Sequence, residues 1–192
     1  MPKLPANAVL LLIDMQDGFD EPVWGRRNNP QMEERVSDLL EAWRAHARPV
    51  IHVKHMSKFP SSPLRPNQPG NAIKAKLAPA PGEPVVEKQV NSSFIGTSLE
   101  ADLRSRGLDT LVLAGLTTNH CVSTTARMAG NLGFTTYVVS DATATFDRVG
   151  PDGGLYTAEQ IHAMALSDLH GEFATVVDTN AVMAALRAEA NK

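Results

Sequence analysis

Six short runs of apolar residues punctuate the chain: Ala8–Ile13, Pro49–Val53, Pro84–Val86, Thr110–Ala114, Thr135–Val139 and Ala174–Val177. Most are continuous rather than alternating, as in strands covered on both faces, so they predict a parallel sheet. Helical periodicity fills the gaps. Val36, Leu39, Leu40, Trp43 and Ala47 recur on one helical face. Thr97 and Glu100 have capping-box spacing ahead of Leu99 and Leu103, and Thr157 and Gln160 have it ahead of Ile161, Met164, Ala165 and Leu169. Val122, Ala126 and Ala129 mark a helix that stops at Asn131–Gly133. A last helix carries Val182, Met183 and Leu186. Strands alternating with helices predict a doubly wound α/β fold.

Two segments break the alternation. Residues Pro60–Pro84 hold seven of the thirteen prolines and read as a long loop with one short helix, Asn71–Leu77. Residues Thr145–Tyr156 contain Gly150, Gly153 and Gly154 and follow the fifth strand, at the carboxyl edge of the sheet. Either could border a ligand.

Composition narrows the class. The 192 residues are 43% hydrophobic and 20% charged, a globular balance that predicts one domain, 1–192. The net charge of −3 gives little attraction to nucleic acid or to anionic lipid. The longest apolar run, Ala8–Ile13, is far short of the ~20 residues of a membrane span. No small-residue cleavage site follows it, so the expectation is a soluble, cytoplasmic protein. The single cysteine, Cys121, can form neither an intramolecular disulfide nor a multi-thiolate metal site.

Open α/β sheets bind ligands outside the carboxyl ends of their strands. Asp14 follows the first strand, Lys88 follows the third, and Cys121 follows the fourth at the start of a helix. Singly, each has an ordinary explanation: a capping carboxylate, a solvated amine and a small buried thiol. Together they support nucleophilic acyl transfer. A helix N-terminus and the Lys88 ammonium would lower the thiol pKa, and Asp14 would carry the proton. Backbone N–H groups ahead of Cys121 would face the oxyanion.

The chain resembles the isochorismatase-like cysteine hydrolases over nearly its whole length. The resemblance rests on four segments in order. They are Leu11–Gln16; Glu87-Lys88 with Asn91–Phe94 and Gly96-Thr97; Gly115–Val122 with Thr125-Ala126; and Val139–Ala142. It implies an Asp14–Lys88–Cys121 triad and a six-stranded parallel sheet in a three-layer sandwich. It also implies a cis peptide between Leu116 and Thr117, with the N–H groups of Thr117 and Cys121 as the oxyanion hole. A small-molecule substrate and a homo-oligomer follow from the same resemblance.

Departures from the family shape the expected chemistry. Isochorismatase itself cleaves a vinyl ether without a cysteine, so Cys121 argues for amide or related acyl chemistry. Related nicotinamidases hold a metal through an Asp-x-His motif after the second strand. The stretch here, His52–Ser57, lacks it, and His52 and His55 would face opposite sides of a strand. No metal or other cofactor is therefore expected. Asp168-Leu169-His170 matches the motif by chance, in a helix far along the chain. The family usually has Asn near Asp17 or Gly18; the glycine here departs from that pattern. Phe19, Trp24, Phe59 and His120 are candidate substrate contacts. Asn91-Ser92-Ser93 matches a glycosylation sequon in a chain that shows no sign of secretion. Two alternatives stand beside the amidohydrolase: a nicotinamidase with a divergent metal site, and a non-catalytic binding protein on the same fold.

Overall fold

The computed structural model describes residues 4–190. In chain order the elements are β1 (Val9–Ile13), α1 (Met32–Ala45), β2 (Val50–His55), β3 (Val85–Lys88), α2 (Leu99–Ser105), β4 (Thr110–Leu116), α3 (Ser123–Asn131) and β5 (Thr135–Ala144). They continue with β6 (Arg148–Val149), β7 (Leu155–Tyr156), α4 (Ala158–Leu169), β8 (Thr175–Val177) and α5 (Thr179–Ala190). Six strands form one sheet in the order β3-β2-β1-β4-β5-β8, every pair parallel.

Alternation along the central strands divides the core in two. Leu10, Leu12, Val112, Ala114 and Val139 meet α1 and α5 through Leu39, Leu40, Trp43 and Val182. Val9, Leu11, Ile13, Leu111, Leu113 and Val138 meet α2, α3 and α4 through Leu103, Ala126 and Leu169. A continuous apolar run in the sequence therefore serves two opposite layers, the three-layer α/β arrangement expected of it.

Several elements differ from the sequence reading. β2 runs to His55, two residues past the apolar run, because its parallel ladder continues to Lys88. β5 runs to Ala144, crossing Ser140 and Asp141 with a register shift against β4. The Thr97–Glu100 box does not form. Thr97 Oγ1 donates to Ser93 O, and Ser98 is the capping residue. The Thr157–Gln160 box does form.

The Pro60–Pro84 segment has two single turns, Pro69–Asn71 and Ala75–Leu77, in place of one helix. The backbone between them is extended because Ile73 bridges Gln16 antiparallel and Lys74 N donates to Met15 O. Gly18 has a packing reason here. A Cβ at Gly18 would lie 2.7 Å from Gly70 O, and one at Gly70 would lie 2.9 Å from Gly18 Cα. The loop thus sits backbone to backbone on the turn after β1. The Thr145–Tyr156 segment folds into the small antiparallel β6–β7 hairpin. Asp168 lies on α4 opposite Arg127, and His170 lies beyond the helix end, where its Nδ1 accepts from Val176 N.

Candidate active site

The strand order puts the C-terminal ends of β3, β2, β1 and β4 side by side. Lys88 ends β3 and His55 ends β2. Asp14 follows β1, turned by a positive φ of 53°. Gly115 lies beside Ile13 at φ 121°, and a Cβ there would fall 2.0 Å from Ile13 O. Only glycine lets β4 approach β1 this closely. The peptide between Leu116 and Thr117 is cis, and residues Thr118–Val122 make one wide helical turn that leads into α3. Cys121 lies in that turn.

The three residues singled out in the sequence lie together. Lys88 Nζ donates to Asp14 Oδ2 at 2.7 Å, and both side chains have 0% exposure. Cys121 Sγ lies within 4.8 Å of a carboxylate oxygen of Asp14 and of a ring nitrogen of His55. The thiol is 7% exposed and donates to Asn91 Oδ1 at 3.8 Å. The other carboxylate oxygen, Asp14 Oδ1, is buried and has no hydrogen-bond partner. It is an acceptor held ready next to a thiol.

The electrostatics of the thiol differ from the sequence expectation. Burial pushes the Cys121 thiol well above its ordinary range, and the Asp14 carboxylate adds to that, while Lys88 pulls the other way. Desolvation outweighs the ammonium, so the resting group is a neutral thiol beside a base.

His55, Asn91 and Gln16 had no assigned role in the sequence reading. His55 Nδ1 accepts from Lys88 Nζ at 2.9 Å. Burial, then the Lys88 ammonium, holds this imidazole below its usual range despite Asp14. Gln16 is fully buried and fixes the His55 backbone from both sides, donating to His55 O and accepting from His55 N. It also donates to Asn71 O, which ties the long loop to the site. The signal for Gln16 was its place two residues after Asp14; for His55 there was only a strand end read too short. Ser93 joins the Asn91 segment to α3 through Thr125 Oγ1, at 3.1 Å from its N–H, and is fully buried.

The candidate substrate contacts separate. Phe59 is 75% exposed and lines a cleft of about 500 Å³ with His55, Val90, Asn91, Ile95 and Thr124. Phe19 and Trp24 do not line it. They pack with Phe146, with ring centroids 5.1 to 6.2 Å apart, as part of the α1-side core. His120 is half-buried, and its Nδ1 faces Arg148 Nη2 at 3.4 Å.

Asp14, His55 and Cys121 are the described residues whose donor atoms could converge on a metal ion. Lys88 Nζ lies 2.7 Å from the Asp14 carboxylate and 2.9 Å from the His55 ring, so an ammonium already occupies the cationic position. His52 faces elsewhere, its Nε2 2.9 Å from Glu83 Oε2.

The model of the isochorismatase domain matches residues 8–181. The chain belongs to the isochorismatase family. It is 47% identical to the isochorismatase family protein YrdC of Bacillus subtilis, over 89% of this chain and 91% of that one. It is 36% identical to ureidoacrylate amidohydrolase RutB of Methylobacterium radiotolerans, over 95% of this chain and 80% of that one. The crystal structure of an isochorismatase-family protein from Chromobacterium violaceum superimposes with a TM-score of 0.93 at 47% identity, covering 98% of this chain and 100% of that one. In this isochorismatase-family hydrolase, no helix among the described residues is long and apolar enough to cross a membrane.

Proposed function

We propose that the protein hydrolyses a C–N bond of a small amide or related carbonyl compound through a thioester on Cys121. One observation carries the reading: a neutral thiol lies within 4.8 Å of a carboxylate oxygen of Asp14, that buried carboxylate keeps a spare oxygen and holds a buried ammonium, and His55 and Asn91 beside them line a cleft. The amidohydrolase RutB, similar over nearly the whole chain, supports the bond type.

Asp14 takes the Cys121 proton as sulfur attacks the carbonyl carbon. This order suits a thiol whose own ionisation is unfavourable. The N–H groups of Thr117 and Cys121 stabilise the tetrahedral oxyanion, and Lys88 offsets the negative charge passing between sulfur and carboxylate. Collapse breaks the C–N bond, and the leaving amine takes the proton from Asp14. Water, deprotonated by Asp14, then cleaves the thioester, releases the acid and returns the proton to sulfur.

A panel of small amides, ureas and lactams tests this against wild type, Cys121→Ala and Cys121→Ser. Turnover of at least one compound by wild type, abolished in both variants with the fold intact, is expected. Full activity in Cys121→Ala would remove the mechanism. A homo-oligomer belongs to the same proposal, supported by the exposed apolar side chains of Val149, Leu155 and Met164. Light scattering measures it, and a monomeric mass would remove that part.

A further inference from the structure

The proposed chemistry uses Asp14, Lys88 and Cys121 but gives no task to the fourth polar side chain among them. We propose that His55 is a positioning residue: it takes one N–H of the Lys88 ammonium so that the remaining charge faces the thiol. The inference rests on the cysteine-hydrolase reading above and extends it to a residue on a different strand.

The register makes the contact possible. His55 and Lys88 are direct partners in the β2–β3 ladder, so their side chains project from the same face of the sheet. β2 lies between the strand that carries Lys88 and the strand that precedes Asp14. His55 therefore reaches Lys88 from the neighbouring strand while Asp14 holds the ammonium from the next strand along. Its backbone is fixed by Gln16 on both edges, and Asn71 Nδ2 adds a third bond to His55 O at 3.1 Å.

The ammonium has three N–H donors. Asp14 Oδ2 accepts one at 2.7 Å and His55 Nδ1 accepts a second at 2.9 Å. Two fixed donors determine the direction of the third, and the thiol lies within 4.8 Å of the Asp14 carboxylate and of the His55 ring that hold the ammonium. For Nδ1 to accept, the ring proton must sit on Nε2 and the imidazole must be neutral. Burial and the neighbouring ammonium favour that state. A second carboxylate in this place would also orient Lys88 but would cancel its charge. A neutral acceptor orients it and leaves the charge available.

The test needs no substrate. Cys121 is the chain's one cysteine, so its alkylation by iodoacetamide, followed by intact mass at fixed neutral pH, reports this thiol alone. His55→Leu removes the acceptor. His55→Asn keeps a neutral oxygen close to the position of Nδ1, whereas His55→Gln carries its amide one carbon further out. The expected result is alkylation slowed about tenfold or more in His55→Leu and His55→Gln, with His55→Asn within about threefold of wild type. Equal rates in His55→Asn and His55→Gln overturn the proposal, and that pair decides even where His55→Leu folds poorly. Lys88→Met separates the two levels. Slowing in Lys88→Met without slowing in His55→Gln defeats only the role of His55. Unchanged alkylation in Lys88→Met defeats the cysteine-hydrolase reading itself.

Discussion

Lys88 Nζ and Asp14 Oδ2 are 2.7 Å apart, and neither side chain is accessible to solvent. Such a pair gains Coulomb energy in a poorly polarisable interior but loses the hydration of both charges. Breaking it from one side is the costly change. Lys88→Met leaves the Asp14 carboxylate buried and unpaired, and a loss of about 3–5 kcal/mol is expected in urea unfolding. Adding Asp14→Asn removes the second charge and should recover part of that loss. A double variant whose loss equals the sum of the two single losses would show that the pair is not coupled.

The raised thiol pKa has a consequence for alkaline stability. In the unfolded chain Cys121 ionises near its ordinary value of 9.0, whereas burial keeps it neutral in the fold. The contribution is complete below pH 9 and shrinks above it, because only the unfolded state then releases the proton. Unfolding free energy should therefore fall between about pH 9 and 10.5, and fall less steeply in Cys121→Ala. Tyr137, also raised by burial, accounts for a residual slope in the variant. Identical slopes in the two proteins would contradict the burial argument.

In the proposed mechanism the Lys88 ammonium supplies the positive charge beside Asp14 and His55, so no metal is expected to take part. Dialysis against a chelator should leave turnover unchanged, with elemental analysis showing no stoichiometric zinc, iron or manganese. Loss of activity restored by one added metal would argue that Lys88 is displaced in the working enzyme.

Gly115 combines a positive φ with 2.0 Å between a built Cβ and the carbonyl of Ile13. Gly115→Ala should destabilise by about 4 kcal/mol or more, since neither the backbone of β1 nor that of β4 can yield without moving Asp14 or the Cys121 turn. Thermal unfolding measures this. Gly133→Ala provides a comparison, because it shares a positive φ but has nothing within 4 Å of a built Cβ, and a smaller loss is expected there.

The sheet was legible because Val9–Ile13 and Thr110–Leu116 are almost wholly apolar, and a doubly covered strand leaves that trace. The thiol, the lysine and the aspartate were legible because each follows such a run. His55 was not, since Lys54 and His55 end the apolar pattern while the ladder continues to Lys88. Phe19 and Phe59 look alike in the sequence. The partner that draws Phe19 into the core, Phe146, is far along the chain. The Thr97 cap failed through a competing acceptor, Ser93 O, that spacing does not reveal. Nor could spacing weigh burial against a nearby ammonium at Cys121, where burial prevails.

The backbone contact between Gly18 and Gly70 divides the long loop for anyone who would redesign the enzyme. From Pro63 to Lys74 the chain is tied to the turn after β1 through Gly70, Asn71, Ile73 and Lys74, so changes there reach Asp14. Phe59, on the near side, projects into solvent at the rim of the cleft. Libraries that seek new substrates should randomise Lys58–Ser62 and leave the tethered half untouched, where variation would disturb the catalytic edge before it changed selectivity.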